Sequence, residues 1–190
     1  MMQRWPLVLV AAASLFAQEF KVGGKVADFH VNDPIGRPVK FSALRGDITV
    51  VLFTSVQCPI SNDYNERMVA LFNDYSAKGI KFVFLNANAT ESPTQIMDHA
   101  KQAGFPFPVY RDAGNVVADR FGASVTPESY VIDKSGTLLY HGEIDDARNP
   151  VRVTAKGLRL ALDAVIAAKP VATTETRAFG CTIKRVRKTS

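Results

Sequence analysis

The sequence predicts one α/β domain in which helices flank a mixed central sheet. Two strand-length apolar runs, Ile48 to Thr54 and Ile80 to Leu85, are each followed by a segment that begins with helix-start residues. A turn at Asp133 to Gly136 separates two further apolar stretches, which indicates an antiparallel hairpin. The chain has 190 residues, of which 47% are hydrophobic and 22% charged, and these values fit one globular domain with a modest extension.

The first elements along the chain are predicted to form a short hairpin. Its arms are Phe29 to Val31 and Pro38 to Phe41, with turn signals before them at Gly23-Gly24 and between them at Asp33 to Gly36. The following run, Ile48 to Thr54, is almost continuously apolar. Such runs are typical of strands that are buried on both faces of a sheet.

The middle of the chain predicts two helices with a strand between them. Pro59 to Lys78 has apolar residues at helical spacing, and Gly79 is a natural stop. Ile80 to Leu85 is a second buried strand. The next helix ends at Gly104, and its start has the residues of a capping box with proline in the first turn: Ser92, Pro93 and Gln95.

The remaining elements follow in the order strand, helix, hairpin and helix. The predicted bounds are Phe107 to Tyr110 for an edge strand, Asn115 to Phe121 for a short helix, Ser129 to Ile132 and Thr137 to His141 for a hairpin, and Val151 to Lys169 for the last helix. From Pro170 onward the chain loses its periodicity. We therefore expect residues 18–169 to form the domain and residues 170–190 to form a flexible basic tail that carries Cys181.

The N-terminal residues have the pattern of an export signal. Arg4 supplies the positive start, Trp5 to Phe16 is apolar, and Ala17 precedes a plausible cleavage point. The apolar stretch is short for a membrane span, which needs about 20 residues. We expect residues 1–17 to be cleaved, which leaves no stable membrane span and a secreted or periplasmic protein. An uncleaved anchor or a buried helix is the alternative.

Charge and composition narrow the classes of partner. The formal net charge is +5, and much of the excess lies in the last residues, from Lys184 to Lys188, which is typical of a solvated tail. Because no aromatic-rich basic face accompanies this excess, we expect no nucleic-acid partner. The sequence contains no flavin, haem or nucleotide motif, so no cofactor is expected, and two cysteines are too few for a structural zinc site.

Cys58 is the strongest candidate for a reactive residue. It closes the apolar run at Ile48 to Thr54 and precedes Pro59, which suits the first turn of a helix. A cysteine at this junction faces the free N–H groups of the helix start, and these groups favour a thiolate over a thiol. The thiolate is the nucleophile in disulfide and peroxide chemistry.

An ordered set of short motifs extends beyond Cys58. The motifs are Val26 to Phe29, Asp33 to Gly36, Leu44 to Asp47, the strand into Cys58, Val125-Thr126-Pro127, Tyr130 to Asp133 and Gly136. Together they resemble the thioredoxin-like redoxin family, in the branch of AhpC/TSA-type peroxiredoxins and exported thiol-disulfide proteins. The resemblance covers residues 21–168 and implies a thioredoxin-like fold, with an N-terminal β-hairpin extension and thiol-dependent redox activity.

The resemblance also implies roles for particular residues. Pro127 matches a cis proline that faces the active-site cysteine, and it would leave the backbone of Thr126 free to pair with an incoming peptide or thiol. Ser61 stands where a dithiol motif has its second cysteine, so Cys58 cannot close a local disulfide. Ser55 matches a Ser or Thr of peroxiredoxins.

Two features depart from the peroxiredoxin pattern. Val51 replaces the usual proline before the cysteine, and the usual arginine is missing before Tyr130. Arg120 or Arg148 is the candidate substitute. These departures weaken the expectation of efficient peroxide reduction, and the sequence leaves the choice between a peroxide and a disulfide substrate open.

These residues lead to a two-cysteine hypothesis. Cys58 attacks a disulfide or a peroxide, and Cys181 resolves the intermediate by forming a Cys58–Cys181 disulfide, which an external thiol reductant reopens. Ser61 and Ser55 are candidates for hydrogen bonds to the Cys58 thiolate. The alternative for the cysteine pair is a static disulfide that pins the tail.

Two non-catalytic alternatives remain open at the sequence level. One is a thioredoxin-fold binding module that holds a partner in its groove. The other is a copper-delivery protein that binds metal through Cys58, Cys181 and His141. Copper-delivery relatives have a second cysteine four residues after the first, and Asn62 occupies that position here.

Overall fold

A mixed sheet of seven strands forms the centre of the described part of the protein, which is residues 20–187 in a computed structural model. The strands of this sheet are β1 (His30–Asn32), β2 (Pro38–Lys40), β3 (Ile48–Thr54), β4 (Lys81–Asn86), β5 (Val109–Arg111), β7 (Glu128–Asp133) and β8 (Leu138–Gly142). Their order in the sheet is β2-β1-β5-β4-β3-β7-β8, with β3, β4 and β5 parallel to one another. A separate two-stranded sheet pairs β6 (Val125–Thr126) with β9 (Cys181–Thr182).

Helices cover both faces of the large sheet. Their bounds are α1 (Phe41–Leu44), α2 (Pro59–Asp63), α3 (Asn65–Ser76), α4 (Pro93–Gln102), α5 (Val116–Phe121) and α6 (Gly157–Ile166). Alternate residues of β3 point into two different hydrophobic clusters: Val50 and Leu52 pack with α3 and α6, whereas Val51 and Phe53 pack with α5. The predicted burial of this strand on both faces is therefore confirmed, and so is the thioredoxin-like α/β fold.

Three further local predictions are confirmed. The N-terminal hairpin exists as β1 and β2, and it joins the large sheet through β5. The hairpin of β7 and β8 is antiparallel. Helix α4 begins with a capping box: Gln95 N–H donates to Ser92 Oγ at 3.2 Å, and Ser92 N–H donates to Gln95 Oε1 at 2.8 Å.

The helix predicted over residues 59–78 is broken at Tyr64. This residue has φ −94° and ψ −2°, and it separates α2 from α3. Its buried ring places the hydroxyl 2.7 Å from Asp145 Oδ1, on the loop after β8. Periodicity does not reveal the break, because the break depends on a partner 81 residues away in the sequence.

Two other predicted elements differ from the structure. The last helix begins at Gly157 rather than Val151, because Asp146 accepts a hydrogen bond from the Thr154 N–H at 2.9 Å and holds the preceding residues in a loop. Strand β5 was expected at the edge of the sheet but lies between β1 and β4. Pro108 precedes its ladder, so the interior position loses no backbone hydrogen bond to proline.

The predicted export signal, residues 1–17, lies outside the described residues. Within residues 20–187, none of the helices is long and apolar enough to cross a membrane.

Candidate active site

Cys58 occupies the position that the sequence predicted, at the start of a helix. It follows the end of β3 by a loop of three residues and is the N-cap residue of α2, with Pro59 in the first turn. Its Sγ accepts a hydrogen bond from the Ser61 N–H at 3.2 Å. The sulfur therefore lies where the free N–H groups of the helix favour negative charge.

The Thr126–Pro127 peptide bond is cis, as the resemblance implied, and it lies against Cys58. The Cys58 Sγ is 3.3 Å from the Thr126 carbonyl oxygen, to which a thiol can donate. Thr126 also lowers the pKa of Cys58, and its buried Oγ1 makes no hydrogen bond among the described residues. The sulfur thus has an acceptor for its proton in the Thr126 carbonyl and a donor to its thiolate form in the Ser61 N–H.

Cys181 lies directly beside Cys58. Strand β9 runs antiparallel to β6, with Cys181 opposite Thr126. Both cysteines are free thiols, and each shifts the pKa of the other. Because Cys181 stands opposite Thr126, whose carbonyl oxygen is 3.3 Å from the Cys58 Sγ, both side chains lie at the N-terminal end of the same helix, α2.

The surroundings shift the pKa values of the two thiols in opposite directions. Burial opposes ionisation of Cys58, but hydrogen bonds from the Cys181 thiol, the Ser61 N–H and Thr126 outweigh it and lower the pKa of Cys58 below that of an ordinary thiol. Burial and the neighbouring Cys58 raise the pKa of Cys181. The first proton lost by this pair therefore leaves Cys58, while Cys181 stays a thiol.

The C-terminal tail, residues 170–187, lies along the domain on both sides of Cys181. Upstream, the backbone of His141 pairs with Thr174 and Thr176 at 3.0 Å each. Downstream, the Lys184 N–H donates to Asn88 Oδ1 at 2.7 Å, and the Ile183 side chain is only 3% exposed. Burial of one such side chain stabilises docking by about 1.5–3 kcal/mol. The sequence predicted a mobile tail here, whereas the structure shows the tail docked on the domain through these contacts.

The docked tail covers Cys58, whose side chain is 2% exposed. Gly180 permits the close approach, because a Cβ at this position would lie 2.0 Å from the Thr126 carbonyl oxygen. Phe179 packs edge-on against Tyr64, with ring centroids 6.2 Å apart. The tail therefore occupies the backbone edge of Thr126 that the resemblance assigned to an incoming substrate.

The two serine candidates act differently from the prediction. Ser61 contacts the sulfur through its backbone N–H, whereas its hydroxyl bonds Thr54 Oγ1 at 3.0 Å and accepts from the Ser55 N–H at 3.1 Å. The Ser55 hydroxyl donates to Glu91 Oε1 at 2.6 Å rather than to Cys58. Both hydroxyls therefore hold the loop before Cys58. Glu91 was not identified from the sequence, because an acidic residue beside a helix N-cap is typically solvated.

Of the two candidate arginines, Arg148 lies within electrostatic range of both sulfurs. Its guanidinium pairs with Asp63 of α2, and both the hydrogen bond and the charge of Asp63 raise the pKa of Arg148, with a further contribution from the cysteines. Arg120 lies over the ring of Phe20 instead. Arg148 also lines a surface groove of about 760 Å³ beside α2, together with Asn62, Glu66 and Arg152.

His141 is held by a buried carboxylate rather than by the cysteines. Its Nε2 lies 2.5 Å from Glu128 Oε1, and Glu128 Oε2 accepts from the N–H groups of Ser124 and Val125. No group of three or more His, Cys, Asp or Glu side chains in residues 20–187 is arranged to hold a metal ion. The copper-delivery alternative therefore gains no supporting geometry.

The chain is similar in sequence to known thiol redox proteins. A family model described as the AhpC/TSA family matches residues 22–141. The thiol-disulfide oxidoreductase ResA of Bacillus thuringiensis is 25% identical over 122 residues, which span 64% of this chain and 69% of that protein. Chloroplastic peroxiredoxin Q of Sedum lineare is 27% identical over 154 residues, which span 72% of this chain and 76% of that protein.

Solved structures show the same fold. A conserved protein from Geobacillus kaustophilus superposes with a TM-score of 0.82 at 32% identity, covering 90% of this chain and 95% of that chain. A putative thiol:disulfide interchange protein DsbE from Chlorobium tepidum has a TM-score of 0.57 at 25% identity, covering 65% and 85%.

Proposed function

Since this chain belongs to the AhpC/TSA family and is an oxidoreductase, we propose that it runs a two-cysteine redox cycle in which Cys58 is the nucleophile and Cys181 resolves. One observation carries the proposal: two free thiols lie together at the start of α2, with Cys181 opposite Thr126 and the Cys58 sulfur 3.3 Å from the Thr126 carbonyl oxygen. The pKa of Cys58 is lowered and that of Cys181 is raised. A nucleophile and a proton-bearing partner are the two parts that such a cycle requires.

The first step differs between the two substrate classes. With a disulfide, the Cys58 thiolate forms a mixed disulfide and expels one substrate thiolate. With a peroxide, it takes one oxygen, becomes a sulfenic acid and releases the alcohol or water. Cys181 then attacks the Cys58 sulfur, which closes the Cys58–Cys181 disulfide and releases the second thiol or water. Two equivalents of an external thiol restore both cysteines.

Disulfide substrates are the better supported class. The relatives named ResA and DsbE carry thiol-disulfide names, and the sequence lacks the proline and the arginine position expected for peroxide reduction. A peroxide remains the second candidate because peroxiredoxin Q is also similar and Arg148 lies near both sulfurs. The partners are then protein or small-molecule disulfides, with peroxides second.

The docked tail must move before a polypeptide disulfide can reach Cys58, because β9 occupies the edge of β6. In a Cys181→Ser background, Gly180→Ala is expected to displace the tail and raise the rate at which a bulky maleimide modifies Cys58 by about tenfold, whereas iodoacetamide gains less. Thr173→Ala, on an exposed part of the tail, is the matched control. Equal rates in all three proteins would remove the gating role of the tail.

Mass spectrometry of the reduced protein tests the cycle itself. After one equivalent of a model disulfide, we expect the loss of two hydrogens and a peptide pair that links Cys58 to Cys181. The same measurement after peroxide ranks the two oxidants. A stable sulfenic acid or mixed disulfide that never converts to the linked pair would show that Cys181 does not resolve.

We also propose that the enzyme works outside the cytoplasm, where disulfides persist. The support is the pattern of residues 1–17, with Arg4 before an apolar run and small residues at the end. The intact mass of the protein recovered from expressing cells reports the cleavage. A mass that includes Met1 would contradict it.

A further inference from the structure

Glu91 is a buried carboxylate that the redox cycle above does not use. Its side chain is 1% exposed, and it lies at the end of the loop after β4. Each carboxylate oxygen accepts more than one hydrogen bond. The donors are Ser55 Oγ at 2.6 Å, Val56 N–H at 2.8 Å, Gln57 N–H at 3.0 Å, Asn86 Nδ2 at 2.5 Å and Asn88 Nδ2 at 3.1 Å.

All five donors are neutral, so hydrogen bonding alone offsets the burial of this carboxylate. Removing a charge from water costs several kcal/mol, and hydrogen bonds to charged groups recover about 1.5–3 kcal/mol each. Such a group is retained only where many donors converge on it. Conversely, the donors are held in fixed positions, because any that turned away would leave the carboxylate buried and underbonded.

Three of the donors belong to residues 55–57, which are the whole loop between β3 and Cys58. The N–H groups of Val56 and Gln57 both point at Glu91, which fixes the backbone path into the N-cap residue of α2. The position of the Cys58 sulfur against the Ser61 N–H depends on that path. Glu91 therefore controls one of the two reacting sulfurs through the loop.

The opposite end of the same cluster holds the tail. Asn88 donates to Glu91 through Nδ2 and accepts from the Lys184 N–H through Oδ1, and the Ala89 N–H donates to the Lys184 carbonyl at 2.9 Å. Lys184 is three residues after Cys181. One hydrogen-bond cluster thus connects the loop that carries Cys58 with the segment that carries Cys181.

We propose that Glu91 is a positioning residue that fixes the two cysteine sulfurs relative to each other. The inference rests on the proposed two-cysteine cycle. In this proposal, the buried Glu91 carboxylate holds the loop and the tail so that Cys181 is already positioned to attack Cys58. A glutamine at position 91 has nearly the same shape as the glutamate, but an NH₂ group replaces one of the two acceptor oxygens. The donors that bond this oxygen in the unmodified protein then lose their acceptor.

Glu91→Gln is expected to slow the closure of the Cys58–Cys181 disulfide by about tenfold to a hundredfold in a single turnover, because small misplacements of reacting atoms have effects of this size. It is also expected to move the pH midpoint of Cys58 alkylation upward. The direction of this movement is decisive. Loss of a nearby negative charge by itself would move the midpoint downward, whereas loss of the contact between the sulfur and the helix start moves it upward.

Asp112→Asn is the matched control. Asp112 is also a buried carboxylate that accepts backbone hydrogen bonds, from Val117 and Ala118, and those bonds go neither to the loop at 55–57 nor to the tail, although its charge interacts with Arg185 of the tail. It is expected to lower the melting temperature while leaving the closure rate and the alkylation midpoint unchanged. If Glu91→Gln does not fold, Asn88→Ala is expected to slow closure with little change in the midpoint, because the donors at 55–57 remain.

The outcomes separate the two proposals. Failure of the unmodified protein to form the Cys58–Cys181 disulfide overturns the two-cysteine cycle. Closure in the unmodified protein, with an unchanged rate in Glu91→Gln or a midpoint that moves downward, overturns the role of Glu91 alone. An unchanged closure rate in Asn88→Ala overturns the link to the tail.

Discussion

Cys58→Ser is expected to abolish turnover with both disulfide and peroxide substrates, by more than about a thousandfold. A serine hydroxyl is not ionised near neutral pH, so the Ser61 N–H that favours a thiolate has no anion to stabilise. The measurement is the steady-state rate with a dithiol as reductant. The unmodified protein should lose activity on acidification with a midpoint below that of an ordinary thiol.

The control for this prediction is a measurement that the Cys58→Ser protein is still folded. Cys58 is buried, and serine is close to it in size, so circular dichroism and the melting temperature should change little. A Cys58→Ser protein that still turned over either substrate would place the reacting sulfur on Cys181. A midpoint at or above the usual thiol value would show that the helix start does not activate Cys58.

Cys181→Ser is expected to stop the cycle after its first step. Cys58 still attacks, and the product is a trapped mixed disulfide with a disulfide substrate or a persistent sulfenic acid with a peroxide. Steady-state turnover is expected to fall by about a hundredfold or more, whereas the first turnover remains. The measurement combines burst kinetics with intact mass.

A second readout uses the effect of Cys181 on the pKa of Cys58. Because the Cys181 thiol is one of the groups that lower the pKa of Cys58, its loss should move the alkylation midpoint of Cys58 upward. A serine hydroxyl can also donate, so Cys181→Ala should move the midpoint further than Cys181→Ser. Full turnover in both variants would reduce the pair to a static contact and remove the resolving role.

Local sequence signals were sufficient to predict the part of the site whose residues are close together in the sequence. The apolar run of β3, the cysteine after it and Pro59 together predict a thiol at a helix start, and each of these features acts within a few residues. The capping box at Ser92 is predictable for the same reason. The cis bond at Pro127 followed only from family resemblance, since an isolated X-Pro bond is usually trans.

Glu91 and Tyr64 illustrate what local signals miss. Glu91 is buried because β3 and β4 are parallel neighbours, which brings the loop at 55–57 and the loop after β4 to the same edge of the sheet. Tyr64 breaks a helix because its hydroxyl reaches Asp145 in a distant loop. Both depend on contacts between segments that are far apart in sequence, where periodicity and propensity carry no information.

Local signals in the chain were enough to predict an α/β domain with a thiolate-favouring cysteine at the start of a helix, because strand burial, helix capping and the charge preference of a helix N-terminus act over a few residues; the redoxin family came from the resemblance of the ordered motifs. The position of Cys181 depends on long-range contacts, since its two-residue strand has no periodicity and is held by Ile183, Lys184 and the edge of β6. The two thiols therefore lie side by side because the C-terminal tail docks on the domain.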